Sequence, residues 1–444
     1  MFYASFLQHP TENKLLKNNK TIFNSLDLHT NLLITKFFMK TRFLLLSVLV
    51  MFALGTEAQN YGNVGGKSSG DRVITTAVPF LMIGPDARAG GLGDGGVATS
   101  PDANSMHWNS AKYAFIKNPS GFSISYTPWL RNLVNDINLA YVSFYHRLDD
   151  RQTVAATLRY FSLGEIQFTD VMGNPIGTYK PNEFAVDAAY ARKLSDNLAL
   201  SVAGRFIYSN LTAGFSPQGT ESSSGLSVAA DIGLYWQKDV NWFPRNNAQF
   251  AWGVLISNIG SKISYSKTNI QKDFIPTNLR FGSRLTVDMD AYNKISFDID
   301  VNKLLVPTPP IYATDSLGNP IINPDGTYKI LKGMNPNVAP IKGMVESWYD
   351  APGGFKEEMQ EFNFSIGAEY WYNNLLALRA GYFYENRHKG DRQYITLGVG
   401  LRYNVFGLDF SYLIPTVSQQ NPLEKTLRFS LLFNFGNNTP GNRF

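Results

Sequence analysis

Apolar and polar residues alternate with period two through most of this chain, over runs too long for an ordinary soluble sheet. Leu198, Leu200, Val202, Phe206 and Tyr208 oppose Asn197, Ser201, Arg205 and Ser209. Ile295, Phe297, Ile299 and Val301 oppose Ser296, Asp298, Asp300 and Asn302, and Phe362, Phe364, Ile366, Ala368, Tyr370 and Tyr372 oppose Asn363, Ser365 and Glu369. Such alternation means strands with one apolar and one polar face. Length then separates the architectures. Soluble strands run ~5–6 residues, whereas membrane-spanning strands need ~9–11. The pattern predicts strands at 120–128, 136–147, 152–163, 182–193, 196–209, 223–237, 246–258, 276–289, 293–304, 361–373, 375–386, 391–404, 406–414 and 424–435. These are fourteen, the even number that a single-chain outer-membrane barrel requires. The strand at 136–147 is blurred, because Tyr141, Val142, Phe144 and Tyr145 place apolar groups on both faces.

The expected fold is therefore all-β: a transmembrane barrel of fourteen antiparallel strands. Its polar face would line the lumen with Arg159, Asp187, Arg205, Asp231, Arg280, Arg284, Asp298, Asp300, Glu369, Arg379 and Arg402. Both signs are present, which suggests internal pairing around a plug more than an open ion-selective pore. Many runs end in aromatics (Tyr126, Tyr160, Tyr208, Trp236, Tyr372, Tyr384, Tyr403, Tyr412), as a girdle at the lipid–water boundary would. Composition agrees. Charged residues are 17% and aromatics 14% of the 444 residues, against ~25% charged in a typical soluble domain. Cysteine is absent, which excludes a disulfide scaffold, a thiol nucleophile and a Cys-ligated metal. The net charge of +5 falls to +2 once residues 1–58 are set aside, too little to imply a nucleic-acid partner.

Before the first strand, Lys40 and Arg42 precede an apolar run from Phe43 to Gly55, followed by Thr56-Glu57-Ala58. That is the order of a secretory signal, and it is short for a spanning helix of ~20 residues. Residues 39–58 are read as the signal peptide, 1–38 as upstream of the true start, and Gln59 as the mature N-terminus. Residues 59–118 are left over as a plug, 305–360 as a long extracellular loop within the 119–435 barrel, and 436–444 as a tail. Gly91-Leu92-Gly93-Asp94-Gly95-Gly96 matches G-x-G-x-x-G without a surrounding βαβ unit, and Gly66-Lys67-Ser68-Ser69-Gly70 matches G-x-S-x-G without a strand-to-helix elbow. Both are read as turns. His107, His146 and His388 have no metal-ligand spacing. His107 has Ser105, Asp102 and Asp86 nearby, and a hydrogen-bonded structural histidine is preferred to a Ser–His dyad. No metal or other cofactor is expected.

Pro79-Phe80-Leu81-x-Ile83-Gly84-Pro85-Asp86-Ala87-Arg88-Ala89-Gly90-Gly91-Leu92-Gly93-Asp94 and Ser105-Met106-His107-Trp108-Asn109 resemble the start of the PorV family. So do Asp350-Ala351-Pro352-Gly353-Gly354-Phe355, Gly367-Ala368-Glu369-Tyr370-Trp371-Tyr372-Asn373, Leu378-Arg379-Ala380-Gly381-Tyr382-Phe383-Tyr384-Glu385 and the run from Asn421 to Phe429. The resemblance implies a FadL-like barrel with an N-terminal plug, working in type IX secretion in Bacteroidota-type bacteria. It implies that the protein collects cargo by its C-terminal signal domain at the translocon barrel and delivers it to a sortase-like surface attachment complex. Outer-membrane lipid or lipopolysaccharide is a further implied partner, through a link of such proteins to lipopolysaccharide deacylation, although no catalytic set stands out here. Trp348, Tyr349, Asp350 and Phe355 are the candidate partner-binding residues: the aromatics as anchors, Asp350 with Gly353 and Gly354 setting a tight turn. Phe80, Leu81, Asp86, Arg88, His107 and Trp108 are the candidate plug and lumen residues. Two other readings stand beside the shuttle. One is a transporter passing a hydrophobic molecule along Phe80, Leu81, Met82 and Ile83; the other is a hydrolase using His107.

Overall fold

The computed structural model describes residues 72–436 except 130–135, 170–171, 212–222, 244–245, 267–271, 318 and 417–425. The signal at 39–58, the start at Met39, Gly66–Gly70 and part of the Asn421–Phe429 run lie outside the described residues.

Fourteen antiparallel strands close into one barrel. In chain order they are β1 (Ser120–Pro128), β2 (Ile137–Arg147), β3 (Gln152–Leu163), β4 (Asn182–Lys193), β5 (Leu198–Asn210), β6 (Gly225–Val240), β7 (Ala248–Gly260), β8 (Asn278–Asp288), β9 (Asn293–Leu304), β10 (Phe362–Tyr372), β11 (Leu376–Tyr384), β12 (Gln393–Tyr403), β13 (Phe406–Pro415) and β14 (Leu427–Phe435). Each strand pairs with its sequence neighbours, and β1 closes on β14 with Ile124 opposite Leu431. Closure removes the free edges that lipid cannot hydrogen-bond. Along each strand the alternation becomes two faces. On β3, Leu158 and Tyr160 point out while Thr157 and Arg159 are buried inside. β2 is blurred for a definite reason: Val142 and Phe144 face outward, whereas Tyr141 and Tyr145 are fully buried, Tyr145 against the plug and Tyr141 under Arg159.

One end of the barrel carries short turns and the other long loops. Asn373 and Asn374, both at positive φ, make the tight β10–β11 turn at the short end. Outer-membrane barrels keep short turns in the periplasm and long loops outside. The segment between β9 and β10 is the longest connection at the long-loop end. It contains a small hairpin (Ile311–Tyr312 with Ile330–Lys332) and two short helices, α3 (Pro340–Glu346) and α4 (Phe355–Gln360).

The lumen is filled by residues 72–118, which run from the long-loop mouth to the short-turn mouth. At the long-loop end Arg72 N–H donates to His388 O (3.2 Å) and Ala77 N–H to Phe274 O (2.9 Å). Phe80 stacks on Phe161 of β3, and Leu81 packs with Ile207, Ile263 and Ile275. Two short helices follow, α1 (Ala87–Gly90) and α2 (Ser105–Asn109). At the short-turn end Tyr113 stacks on Tyr145, and Thr153 donates to Tyr113 O (3.0 Å).

Candidate functional site

Plug and wall are joined by buried ion pairs. Arg88 of the plug donates to both oxygens of Glu369 on β10 (3.1 and 3.0 Å) and to Asp102 (2.8 Å). Glu369 also accepts from Arg284 of β8 (2.5 Å) and Arg379 of β11 (2.7 Å), so one carboxylate serves three guanidiniums. Asp409 accepts from Arg379 (2.8 Å) and Arg402 (2.9 and 2.6 Å). Asp187 accepts from Arg205 (2.6 Å), which also pairs with Asp231 (3.0 Å). The β6–β7 ladder slips between Ala230 and Ile232, and Asp231 closes the gap by accepting from Asn258 N–H (2.7 Å).

The glycine-rich run lies on the wall. Gly93, at φ +70°, donates to Thr396 (2.9 Å), and a Cβ on Gly381 of β11 would sit 2.1 Å from Gly93 N. Only two backbones fit there. Asp94 accepts from Arg428 (3.1 Å) and Tyr394 (2.6 Å). Asp86 caps the helix at Ala89 N–H (3.0 Å) and accepts from Trp108 Nε1 (2.5 Å). His107 stands between Arg159 and Arg280, with its ring edge-on to Trp108 at 4.6 Å. Ser105 bonds to Asp102, not to His107. Phe80, Leu81, Asp86, Arg88, His107 and Trp108 therefore all lie buried in the lumen filling. Among the described residues no three His, Asp or Glu are grouped to hold a metal ion.

The second set lies on the long loop. Trp348, Tyr349 and Phe355 are 46%, 60% and 77% exposed. Ile341, Val345 and Met359 add further exposed apolar surface on α3 and α4. Asp350 is buried instead, accepting from Thr308 N–H (3.0 Å). Burial, with Glu358 and Glu361 nearby, pushes its carboxyl up to about 6. A charged network holds this turn down. Glu361 accepts from Lys303 (2.6 Å), Lys389 (2.9 Å) and Thr308 (2.6 Å), and Glu358 accepts from Lys303 (3.2 Å) and Ala351 N–H (2.8 Å). Glu357 accepts from Arg72 (2.8 and 2.5 Å), Lys389 (2.8 Å) and Gly353 N–H (2.7 Å). Burial would raise the Glu357 carboxyl, but these bonds outweigh it and hold it at about 2. Lys303, Lys389 and Arg72 tie the loop to the β9 end, the β11–β12 loop and the start of the plug. Sequence alternation alone could not reveal this network, because apart from Lys303 its members lie outside the strands.

A closed barrel of fourteen antiparallel strands with an ion-paired filling places the chain in the class of outer-membrane barrels. The profile of the family described as "Type IX secretion system protein PorV" matches residues 66–311, and the chain belongs to that family. No curated protein matches the chain. Similar solved structures include the toluene transporter TbuX of Ralstonia pickettii, 13% identical over 80% of this chain and 98% of that one, with TM-score 0.42. The P. putida toluene transporter TodX is 11% identical over 80% and 99%, with TM-score 0.44. A Pseudomonas aeruginosa FadL homologue is 10% identical over 82% and 100%, with TM-score 0.37. At such identities toluene transport remains a property of those proteins. Barrel fold and family together point to the outer membrane, and the family ties the chain to type IX secretion.

Proposed function

We propose that this protein is the outer-membrane shuttle of a type IX secretion system. It binds the C-terminal signal domain of an exported cargo beside the translocon barrel and hands it to the sortase-like attachment complex on the cell surface. The observation that carries the reading is the pairing of exposed aromatics with a rigid base. Trp348, Tyr349 and Phe355 stand out from a turn whose Asp350, Glu357, Glu358 and Glu361 are all buried and bonded. A preordered apolar surface loses little conformational entropy on docking, and aromatic side chains dominate such contacts. Electrostatic pairing across the lumen supports the same reading. A path for a hydrophobic molecule along Phe80, Leu81, Met82 and Ile83 would require moving the Phe80–Phe161 stack and the Arg159 bonds to the Phe80 and Leu81 carbonyls.

The test is a tagged pull-down from gently solubilised outer membranes, with wild type and a W348A/Y349A/F355A variant. These substitutions leave the charged base intact, which a deletion of 345–358 would not. Wild type should co-purify the translocon barrel or exported cargo, and the variant should lose at least ~10-fold of it, the equivalent of one hot-spot residue. Undiminished capture by the variant would remove these three residues from the contact. A partner-free wild type carrying bound lipid would favour the transporter instead.

A further inference from the structure

We propose that the lumen holds a small inorganic anion, of chloride size, between Arg159, Arg280 and His107. The reasoning is a count of protons. Arg159 Nη2 lies 2.7 Å from His107 Nδ1, and Arg280 Nη2 lies 3.4 Å from His107 Nε2. A neutral imidazole accepts at one ring nitrogen and donates at the other. A guanidinium only donates. One of the two contacts therefore sets donor against donor, whichever tautomer is chosen. Two further donors on the same pair of arginines, Arg159 Nε and Arg280 Nη1, are buried without a partner. Arg159 and Arg280 are themselves 1% and 6% exposed. Buried unpaired donors of this kind are rare in folded proteins and costly.

The charge count agrees. Among the described residues neither arginine has a salt bridge. Nearby carboxylates are committed elsewhere: Asp187 and Asp231 to Arg205, Asp94 to Arg428, and Asp86 to Trp108 and Ala89 N–H. Asp300 gives one oxygen to Gly96 and Val97 N–H (2.6 and 2.9 Å), and its other oxygen, buried without a partner, lies over Gly282 and makes no ion pair with Arg280. Arg159 spends Nη1 on the Phe80 and Leu81 carbonyls, and Asn278, with its amide oxygen turned toward Arg280, takes Nε at 3.2 Å. Both guanidiniums lie over aromatic faces, Arg159 on Tyr141 (5.4 Å) and Arg280 on Trp108 (4.7 Å), so only their N–H edges remain available. A monatomic anion meets those edges without a fixed geometry of its own, and two neighbouring positive charges supply its counter-charge. Arg159 is on β3, Arg280 on β8 and His107 on the plug. The ion thus fastens the plug to two separate stretches of wall. This proposal is independent of the shuttle reading.

The experiment is crystallisation of the wild-type protein with bromide in place of chloride, together with thermal unfolding in chloride or gluconate at constant ionic strength. An anomalous peak within ~3.5 Å of both guanidiniums is expected, a distance at which a donor still contacts a halide. The midpoint should rise with chloride and, above the dissociation constant, keep rising with its logarithm, as ligand binding to the folded state alone requires. R280M should lose the chloride dependence. Should R280M not fold, R159K supplies the comparison, and the bromide peak decides regardless. Water at the position, or bromide on the surface alone, would overturn the proposal. So would a peak at soaking concentration with no chloride-dependent midpoint, the mark of an adventitious ion only.

Discussion

Asp350 and Glu357 are seven residues apart on one turn, yet their surroundings push their carboxyls in opposite directions. Glu357 has Arg72 and Lys389 on it, whereas Asp350 has one backbone N–H and a second oxygen without a partner. With its carboxyl raised to about 6, Asp350 binds a proton more tightly in the folded loop than in an unfolded chain. Its contribution therefore favours the folded loop below about 4, near the carboxyl's ordinary value, and fades as pH rises through about 6. D350N should slow amide exchange of residues 345–361 at pH 8 and change little at pH 4. A variant that exchanges faster at pH 8 would show that the charged form is needed. The aromatics could be singled out in the sequence as candidates, since Trp, Tyr and Phe clustered in a long loop are unusual, and the structure leaves all three exposed. The inward direction of Asp350 could not, because it depends on Thr308 arriving from a different part of the loop.

Among the elements, the strands were the most legible part and the plug the least. A period of two over ten or more residues has few alternatives, and the predicted strand at 152–163 matches β3 residue for residue. β2 blurred because Tyr145 must meet Tyr113 of the plug, so a lumen-facing site became aromatic. The lumen charges were visible individually. Their partners follow from register: Arg284 is opposite Asp298, Asp187 opposite Arg205, and Glu369 opposite Arg379. Register between strands is not written in the alternation of either one. Arg88 joins Glu369 from the plug, which no strand pattern could indicate. Removing that carboxylate leaves three buried guanidiniums short of charge, and breaking a buried pair costs about 3–5 kcal/mol. E369A should accordingly unfold at lower temperature in the heat-shift gel assay, and proteolysis should reach residues 84–100 first. A variant as heat-resistant as wild type would mean that Asp102, Asp298 and Asp409 suffice.

For the whole molecule, charge balance and shape point the same way. The plug meets the wall from Phe80–Phe161 at one mouth to Tyr113–Tyr145 at the other, with ion pairs between. Purified protein in planar bilayers should give no steady porin-like conductance, and osmotic swelling of vesicles in small sugars should match protein-free controls. Sustained open channels would show that the filling moves aside readily. The barrel class was legible because membrane thickness sets strand length, a constraint few soluble folds share. The threading of the plug was not, since nothing in residues 72–118 states at which mouth they begin.

That threading also fixes an order of events in the making of the molecule. The plug is synthesised before β1, and the wall is sealed only where β1 meets β14, the first strand against the last. While that seam is open, the sheet has two unpaired edges and one side open to the space where the plug will sit. Once it is zipped, forty-odd residues carrying the buried Arg88 and Lys112 could enter only by threading through a mouth. Gathering the filling in while the sheet is still a half-pipe avoids that threading, and whatever folds this barrel into the membrane would then hold the seam apart until the contents are in place.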